Sequence, residues 1–214
     1  IACPTTKIAA IIDPVLETAQ RDADLIKELG LDLRFGLNTH VHADHITGTA
    51  ALSKIFPQMK AGLSDAAGDA KADLFFKHGE KIAVGNLVVE VRHTPGHTDG
   101  CVTYILESEG MLFSGDALFH RGCGRTDFQQ GCPERLFDSV WNNILNMPED
   151  TIIFPGHDYK GHMATSVGEE KKFNPRLTLS KEKFVEFMNN LKLDYPKQID
   201  RALPANLRNG EVIG

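Results

Sequence analysis

Three imidazoles and a carboxylate fall within six residues of this chain, His40-Val41-His42-Ala43-Asp44-His45. Core packing does not explain such a run, because His and Asp are seldom buried without partners. Imidazole is also the commonest protein ligand for a metal ion. The flanks place the run. Residues 33–38 are apolar enough to read as a strand, and residues 46–56 read as a helix, so the cluster sits where a strand hands over to a helix. In extended backbone, residues two apart project to the same side. His40 and His42 are therefore expected to aim at one point, with Asp44 and His45 at the turn into the helix.

Three other places repeat the arrangement of a polar residue just past an apolar strand, beside a glycine. His97 lies in TPGHT at 94–98, Asp116 follows FSG at 113–115, and His157 follows IFPG at 153–156. A glycine at each turn lets the backbone reverse sharply, and in α/β sheets sites collect at strand ends. All four places are expected to converge on one metal-binding pocket. His78, His93, His120 and His162 fall outside this pattern and receive no role.

The rest of the chain supports an α/β layered architecture. Residues 7–12 read as a buried strand closed by Asp13-Pro14, and residues 16–29 as a helix stopped by Gly30. Residues 81–91 read as two strands around a Gly85-Asn86 turn. Further strands are expected at 101–106, 111–114 and 151–154, a helix from Pro133 to about residue 146, and two helices across 164–191 broken at Asn174-Pro175. A length of 214 residues, 42% hydrophobic and 24% charged, suits one soluble globular domain. The net charge is −6 and no basic block occurs, which argues against a nucleic-acid partner. No apolar run approaches the roughly 20 residues of a membrane span. Cys3, Cys101, Cys123 and Cys132 form no CxxC pair, so they are expected to be reduced and mostly buried. Cys123, inside a glycine-rich stretch, is the one to watch.

HxHxDH followed by the TPGHT turn, SGDAL at 114–118 and PGHD at 155–158 resembles the metallo-β-lactamase superfamily. The resemblance implies an αββα four-layer sandwich spanning residues 1–214 as one domain, with residues 164–214 as a short C-terminal helical extension. That family usually opens with a hairpin, of which only the second strand is expected here, the N-terminal strand being truncated. Its motifs allow two metals, one on His40, His42 and His97 and the other on Asp44, His45 and His157, with Asp116 between. Such a dinuclear centre activates a water for hydrolysis, as in hydroxyacylglutathione hydrolases of the glyoxalase II type, the alternative reading.

Four segments favour a different branch. RGCGRTDFQQG at 121–131, GHDYKG at 156–161, NPRLT at 174–178 and LPAN at 203–206 resemble the persulfide dioxygenases. Glyoxalase II usually carries Trp where Ala43 stands, a loop closer to GCGKFYEG, and a longer C-terminal helical region. The resemblance implies one Fe(II) per chain on His40, His97 and Asp116, a two-histidine, one-carboxylate face that leaves positions open for a persulfide sulfur and O2. The implied reaction converts glutathione persulfide, O2 and water to sulfite and glutathione. His42, Asp44, His45 and His157 would then act around the metal, orienting ligands and fixing protons. Arg125, Tyr159 and Arg176 are the expected contacts to glutathione, Arg125 through a forked pairing with a carboxylate. A homodimer is a family-level expectation. So is the compartment, the mitochondrial matrix for a eukaryotic source and the cytoplasm for a bacterial one.

Overall fold

The computed structural model describes residues 1–211. Its first sheet is parallel throughout, with β1 (Ile8–Ile12), β2 (Asp32–Leu37), β3 (Lys60–Ser64) and β4 (Leu74–Phe76) in that order. Parallel neighbours need a crossover. A 3-10 turn (Leu16–Thr18) and α1 (Ala19–Glu28) supply it between β1 and β2, and α2 (Thr49–Ile55) between β2 and β3. The second sheet has six strands, β5 (Lys81–Val84), β6 (Leu87–His93), β7 (Val102–Leu106), β8 (Met111–Gly115), β9 (Ile152–Pro155) and β10 (Thr165–Ser166), ordered β10-β9-β8-β7-β6-β5. Four helices follow: α3 (Pro133–Asn143), α4 (Val167–Phe173), α5 (Lys181–Asn189) and α6 (Ile199–Asn206).

Three packed interfaces stack these elements into the expected four layers. Ala19, Ala23, Ile26 and Leu52 of α1 and α2 close on Ala9 and Leu33 of the first sheet. Leu37 meets Val84, Val89, Val91, Val102, Tyr104 and Leu106 between the two sheets. Ile105, Leu112 and Ile153 face Leu136, Val140 and Phe184 of α3 and α5. Strand β7 shows the logic in one element: Val102, Tyr104 and Leu106 point into the inter-sheet layer while Ile105 points to the helices, and all five residues are buried. A strand covered on both faces is apolar throughout rather than alternating. Each such large side chain contributes roughly 1.5–3 kcal/mol by leaving water.

The Gly85-Asn86 hairpin, the Gly30 stop and the break at Asn174-Pro175 all stand where the sequence places them. Elsewhere the structure departs from expectation. Strands β3, β4 and β10 have no counterpart in the sequence reading, and α6 falls within the expected helical extension without having been placed as a separate helix. β3 carries Gly62, because a Cβ there would lie 2.6 Å from Phe76 and 2.9 Å from Leu37, and a strand with a glycine core position reads as loop. α6 contains Pro204, ordinarily a helix breaker. α2 begins at Thr49 rather than Ile46, since Thr47 is drawn into a bridge with Val15. At the start, Ala2 bridges Ala9 antiparallel and Cys3 N donates to Ile8 O at 2.9 Å, so a short partner for β1 is present where only a single strand was expected. Among the described residues no helix is long and apolar enough to cross a membrane. All four cysteines are free, Cys3, Cys101 and Cys123 buried and Cys132 half-buried.

Candidate metal centre

Strand direction explains why distant residues meet. β6 and β8 both run antiparallel to β7, and β9 runs parallel to β8, so the C-terminal ends of all three lie on one edge of the second sheet. His97, Asp116 and His157 follow those ends, and the segment after β2 faces them from the first sheet. Gly115, at φ 51, lets β8 end directly against Thr39, where any Cβ would lie 2.3 Å from the Thr39 hydroxyl. Ligand atoms of His40, His97 and Asp116 all lie within 4.8 Å of one another, as do those of His42, Asp44 and His45 in a second group. His157 Nε2 sits between the groups, 3.3 Å from Asp44 and 3.5 Å from Asp116. All seven expected residues are thus brought together.

One expectation needs correction. The backbone beyond Leu37 that carries His40 and His42 is not extended strand. Their rings are neighbours, 4.1 Å apart, yet they fall in separate groups. The cause is Asp13, which the sequence reading treated only as a turn residue. Asp13 accepts from Thr39 N at 2.7 Å, from the Thr39 hydroxyl at 2.7 Å and from His42 Nε2 at 3.0 Å. Its φ of 48 at the end of β1 was the available signal, invisible without coordinates.

Hydrogen bonding fixes the tautomers. An ionised carboxylate only accepts, so the Thr39 hydroxyl gives its proton to Asp13 and accepts from His40 Nδ1 at 2.9 Å. That leaves the lone pair of His40 on Nε2. His97 Nδ1 donates to the Arg125 carbonyl at 2.7 Å, leaving its Nε2 lone pair 3.5 Å from Asp116 Oδ2. His45 Nδ1 donates to Asp44 at 3.1 Å. Among the described residues, His42 Nδ1, His45 Nε2 and Asp116 Oδ1 are buried with no hydrogen-bond partner. Buried polar atoms are normally paired. Two of these orphans lie in the second group and Asp116 Oδ1 in the first, so each group holds buried lone pairs that fit a metal ion, and the His/His/Asp donor set of the first fits one chemically.

The electrostatics agree. Burial, then the neighbouring His42, pushes His40 down to about 3, so it stays neutral and able to ligate at physiological pH. Burial alone would raise Asp116, but His157, His40 and His97 outweigh it and hold the carboxyl well below the usual range. Asp13 and His42 move apart in the same way, the carboxylate down and the imidazole up, each against its own burial. His157 is raised to about 9, chiefly by its contact with Asp116.

A cavity of about 750 Å³ opens over Asp116, His97 and His157, within the range of small-molecule sites. Arg125, Tyr159 and Arg176 all line it. Tyr159, 75% exposed, stacks on His157 at 5.3 Å and stands at the mouth. Arg176 donates to the Cys123 carbonyl at 2.9 Å and lies over Phe187. Arg125 has partners within the chain as well. Its fork already grips Asp127 at 2.7 and 2.8 Å, and its third nitrogen donates to the Asp194 carbonyl at 3.0 Å. The side chain therefore straps the cavity wall formed by Leu193, Asp194, Pro196 and Lys197. Cys123 is buried beside Met188 and Arg176, and burial pushes its thiol up. Asp13, Gln129 and Asn206, which hold the histidine loop from outside, have no role in the sequence reading, although Gln129 and Asn206 lie in the 121–131 and 203–206 segments that carry the family resemblance.

Two sheets sandwiched between helices, with histidines and aspartates gathered at one edge, define a metallo-β-lactamase fold, and the Metallo-beta-lactamase superfamily model matches residues 5–157: the chain belongs to that superfamily. Within it the chain belongs with the persulfide dioxygenases. It is 54% identical over 202 residues to the human protein named persulfide dioxygenase ETHE1, mitochondrial, covering 94% of this chain and 79% of that one. The crystal structure of ETHE1 from Myxococcus xanthus superposes with a TM-score of 0.94 at 45% identity, covering 99% of this chain and 92% of that one. The probable hydroxyacylglutathione hydrolase glo2 of Schizosaccharomyces pombe is more distant, 33% identical over 85% of this chain and 82% of its own length.

Proposed function

We propose that the protein is a persulfide dioxygenase that holds one ferrous ion on His40 Nε2, His97 Nε2 and a carboxylate oxygen of Asp116. It converts glutathione persulfide, O2 and water to glutathione and sulfite, with two protons released. The observation that carries the metal assignment is the tautomer chain: Asp13 through Thr39 frees Nε2 of His40, and the Arg125 carbonyl frees Nε2 of His97. Ferrous iron on two histidines and one carboxylate supplies electron transfer and the open coordination sites that O2 chemistry requires.

The chain's own residues do the rest. His42, tied to Asp13, and His45, tied to Asp44, hold the histidine loop in shape. His157, between Asp44 and Asp116, is placed to hold a proton at Nε2 and pass it on as the two released protons leave. Phe119 and Tyr159 pack around His157 and limit water on that side. Arg121, Arg125, Lys160, Arg176 and Lys197 line the cavity beside four aspartates, and these cations suit an anionic persulfide on a chain of net charge −6. Tyr159 and Arg176 contact the glutathione moiety, while Arg125 shapes the wall that receives it.

The described residues form one domain in this reading, 164–211 being its helical end while 212–214 lie outside the described residues, and the chain works as a homodimer without nucleic acid. It resides in the mitochondrial matrix if the source is eukaryotic, the human, mouse and bovine relatives being named mitochondrial, and in the cytoplasm if bacterial.

The hydrolase alternative draws on one observation, the unpartnered His42 Nδ1 and His45 Nε2 beside Asp44. Product analysis separates the two. Purified protein given glutathione persulfide in air is expected to form sulfite in step with the O2 consumed, and to leave S-lactoylglutathione intact under nitrogen. Thioester cleavage without sulfite formation overturns the proposal.

A further inference from the structure

The loop between β2 and α2 carries four of the site's seven ligand-type residues, His40, His42, Asp44 and His45, yet it has no regular structure of its own. Its backbone is held from outside. Gln129 Nε2 donates to the Val41 carbonyl at 2.8 Å. The larger share comes from Asn206, the last residue of α6, more than 150 positions away. Its amide nitrogen donates to the His42 carbonyl at 2.8 Å and to the His45 carbonyl at 2.7 Å, and its oxygen accepts from Thr47 N at 2.9 Å. The side chain is only 3% exposed. Both N–H groups and the carbonyl are therefore used, in a geometry that only a primary amide satisfies. Residues after α6 extend the contact: Asn209 O accepts from Ala50 N at 3.0 Å, and a Cβ on Gly210 would lie 2.2 Å from Thr47 O.

We propose that Asn206 is a positioning residue of the metal centre, setting the spacing of His42 and His45, and through them His40 and Asp44, by pinning their backbone from the C-terminal helix. The proposal rests on the metal-centre part of the reading above and not on the reaction catalysed. Removing one such outer contact typically weakens metal binding about 10–100-fold. Asn206→Asp keeps the acceptor for Thr47 but turns an oxygen toward two carbonyl oxygens. Asn206→Ala removes all three bonds without adding charge. Ile199→Ala, at the opposite end of the same helix, truncates a buried side chain that lies outside the apolar clusters of the loop residues Val41 and Ile46.

The test uses Co(II) alone as probe, in the full-length protein, following its absorbance as a chelator competes for it. Circular dichroism at the same temperature shows which variants are folded. Asn206→Asp and Asn206→Ala are expected to bind Co(II) at least tenfold more weakly than the unsubstituted protein, with Ile199→Ala within about twofold. Asn206 variants that are folded and bind Co(II) as tightly as the unsubstituted protein overturn the proposal. So does an equal loss of affinity in Ile199→Ala, since that would be general loosening of α6. Should Asn206→Asp fail to fold, the comparison of Asn206→Ala with Ile199→Ala decides alone. Absence of dioxygenase activity would leave this outcome untouched, because O2 takes no part in the measurement.

Discussion

Gly124→Ala tests whether backbone packing, and not only ligand chemistry, holds the metal site. A Cβ at residue 124 would lie 2.4 Å from the Asp116 carbonyl oxygen, 2.9 Å from His97 Nδ1 and 3.0 Å from His97 Cγ. Ordinary contact begins at 3.4 Å, so the Asp116 backbone must retreat by about 1 Å. Neither neighbour can swing aside: Gly124 N is bonded to that same carbonyl at 2.8 Å, and the imidazole is pinned to the Arg125 carbonyl at 2.7 Å. Both displaced residues are metal ligands in this account. A misplacement of about 1 Å at reacting groups costs about 100-fold in rate, and overpacking of this kind costs about 1–3 kcal/mol in stability. The expected result is kcat/KM down about 100-fold, with weaker metal retention and a lowered Tm. Gly110→Ala is the comparison, because Gly110 has φ 61 and nothing within 4 Å of its Cβ position. It should cost about 1–2 kcal/mol from the left-handed backbone and leave kcat/KM per bound metal unchanged. A Gly124→Ala protein with full metal content and kcat/KM within twofold of the parent would refute the packing argument.

Asp116→Ala should abolish both metal retention and O2 uptake, read by metal analysis and an oxygen electrode on the same sample; a variant that keeps its metal contradicts the ligand assignment. Arg125→Ala should chiefly raise KM for glutathione persulfide, since it frees the wall strapped at the Asp194 carbonyl, and a fall in kcat alone would contradict that role. The metal-free protein should lose stability in alkali. His157, raised to about 9 by Asp116, contributes stability that is fully present below its ordinary value near 6.5 and is lost as pH climbs through about 9. Thermal melts of the metal-free protein across that window should show a falling Tm, with the fall diminished in Asp116→Asn; a Tm independent of pH from 6 to 10 would count against the contact.

How much of this was legible in the sequence depends on whether the signal is local. The HxHxDH run and the glycine-flanked His97, Asp116 and His157 announce themselves, because ligand type, apolar strand and glycine turn sit side by side. Apolar runs such as residues 101–106 likewise identify the strands buried on both faces. β3 was hidden by Gly62, a residue dictated by Phe76 and Leu37 pressing from two other strands. α6 was hidden by Pro204. Asp13 and Asn206 received no role because a hydrogen-bond partner is chosen by the folded chain, and nothing local told that the Arg125 guanidinium would also meet Asp127. The placement of His42 shows the limit most clearly. Spacing of two placed it beside His40, but nothing local showed that its Nε2 would be held by Asp13 at the end of β1.

The central claim is that a single ion is held by His40, His97 and Asp116. Crystals grown from protein loaded with Fe(II) under nitrogen, measured on both sides of the iron absorption edge, test it directly. One iron peak per chain is expected, within bonding distance of His40 Nε2, His97 Nε2 and an Asp116 carboxylate oxygen. Two peaks of equal height, the second among His42, Asp44, His45 and His157, would contradict it.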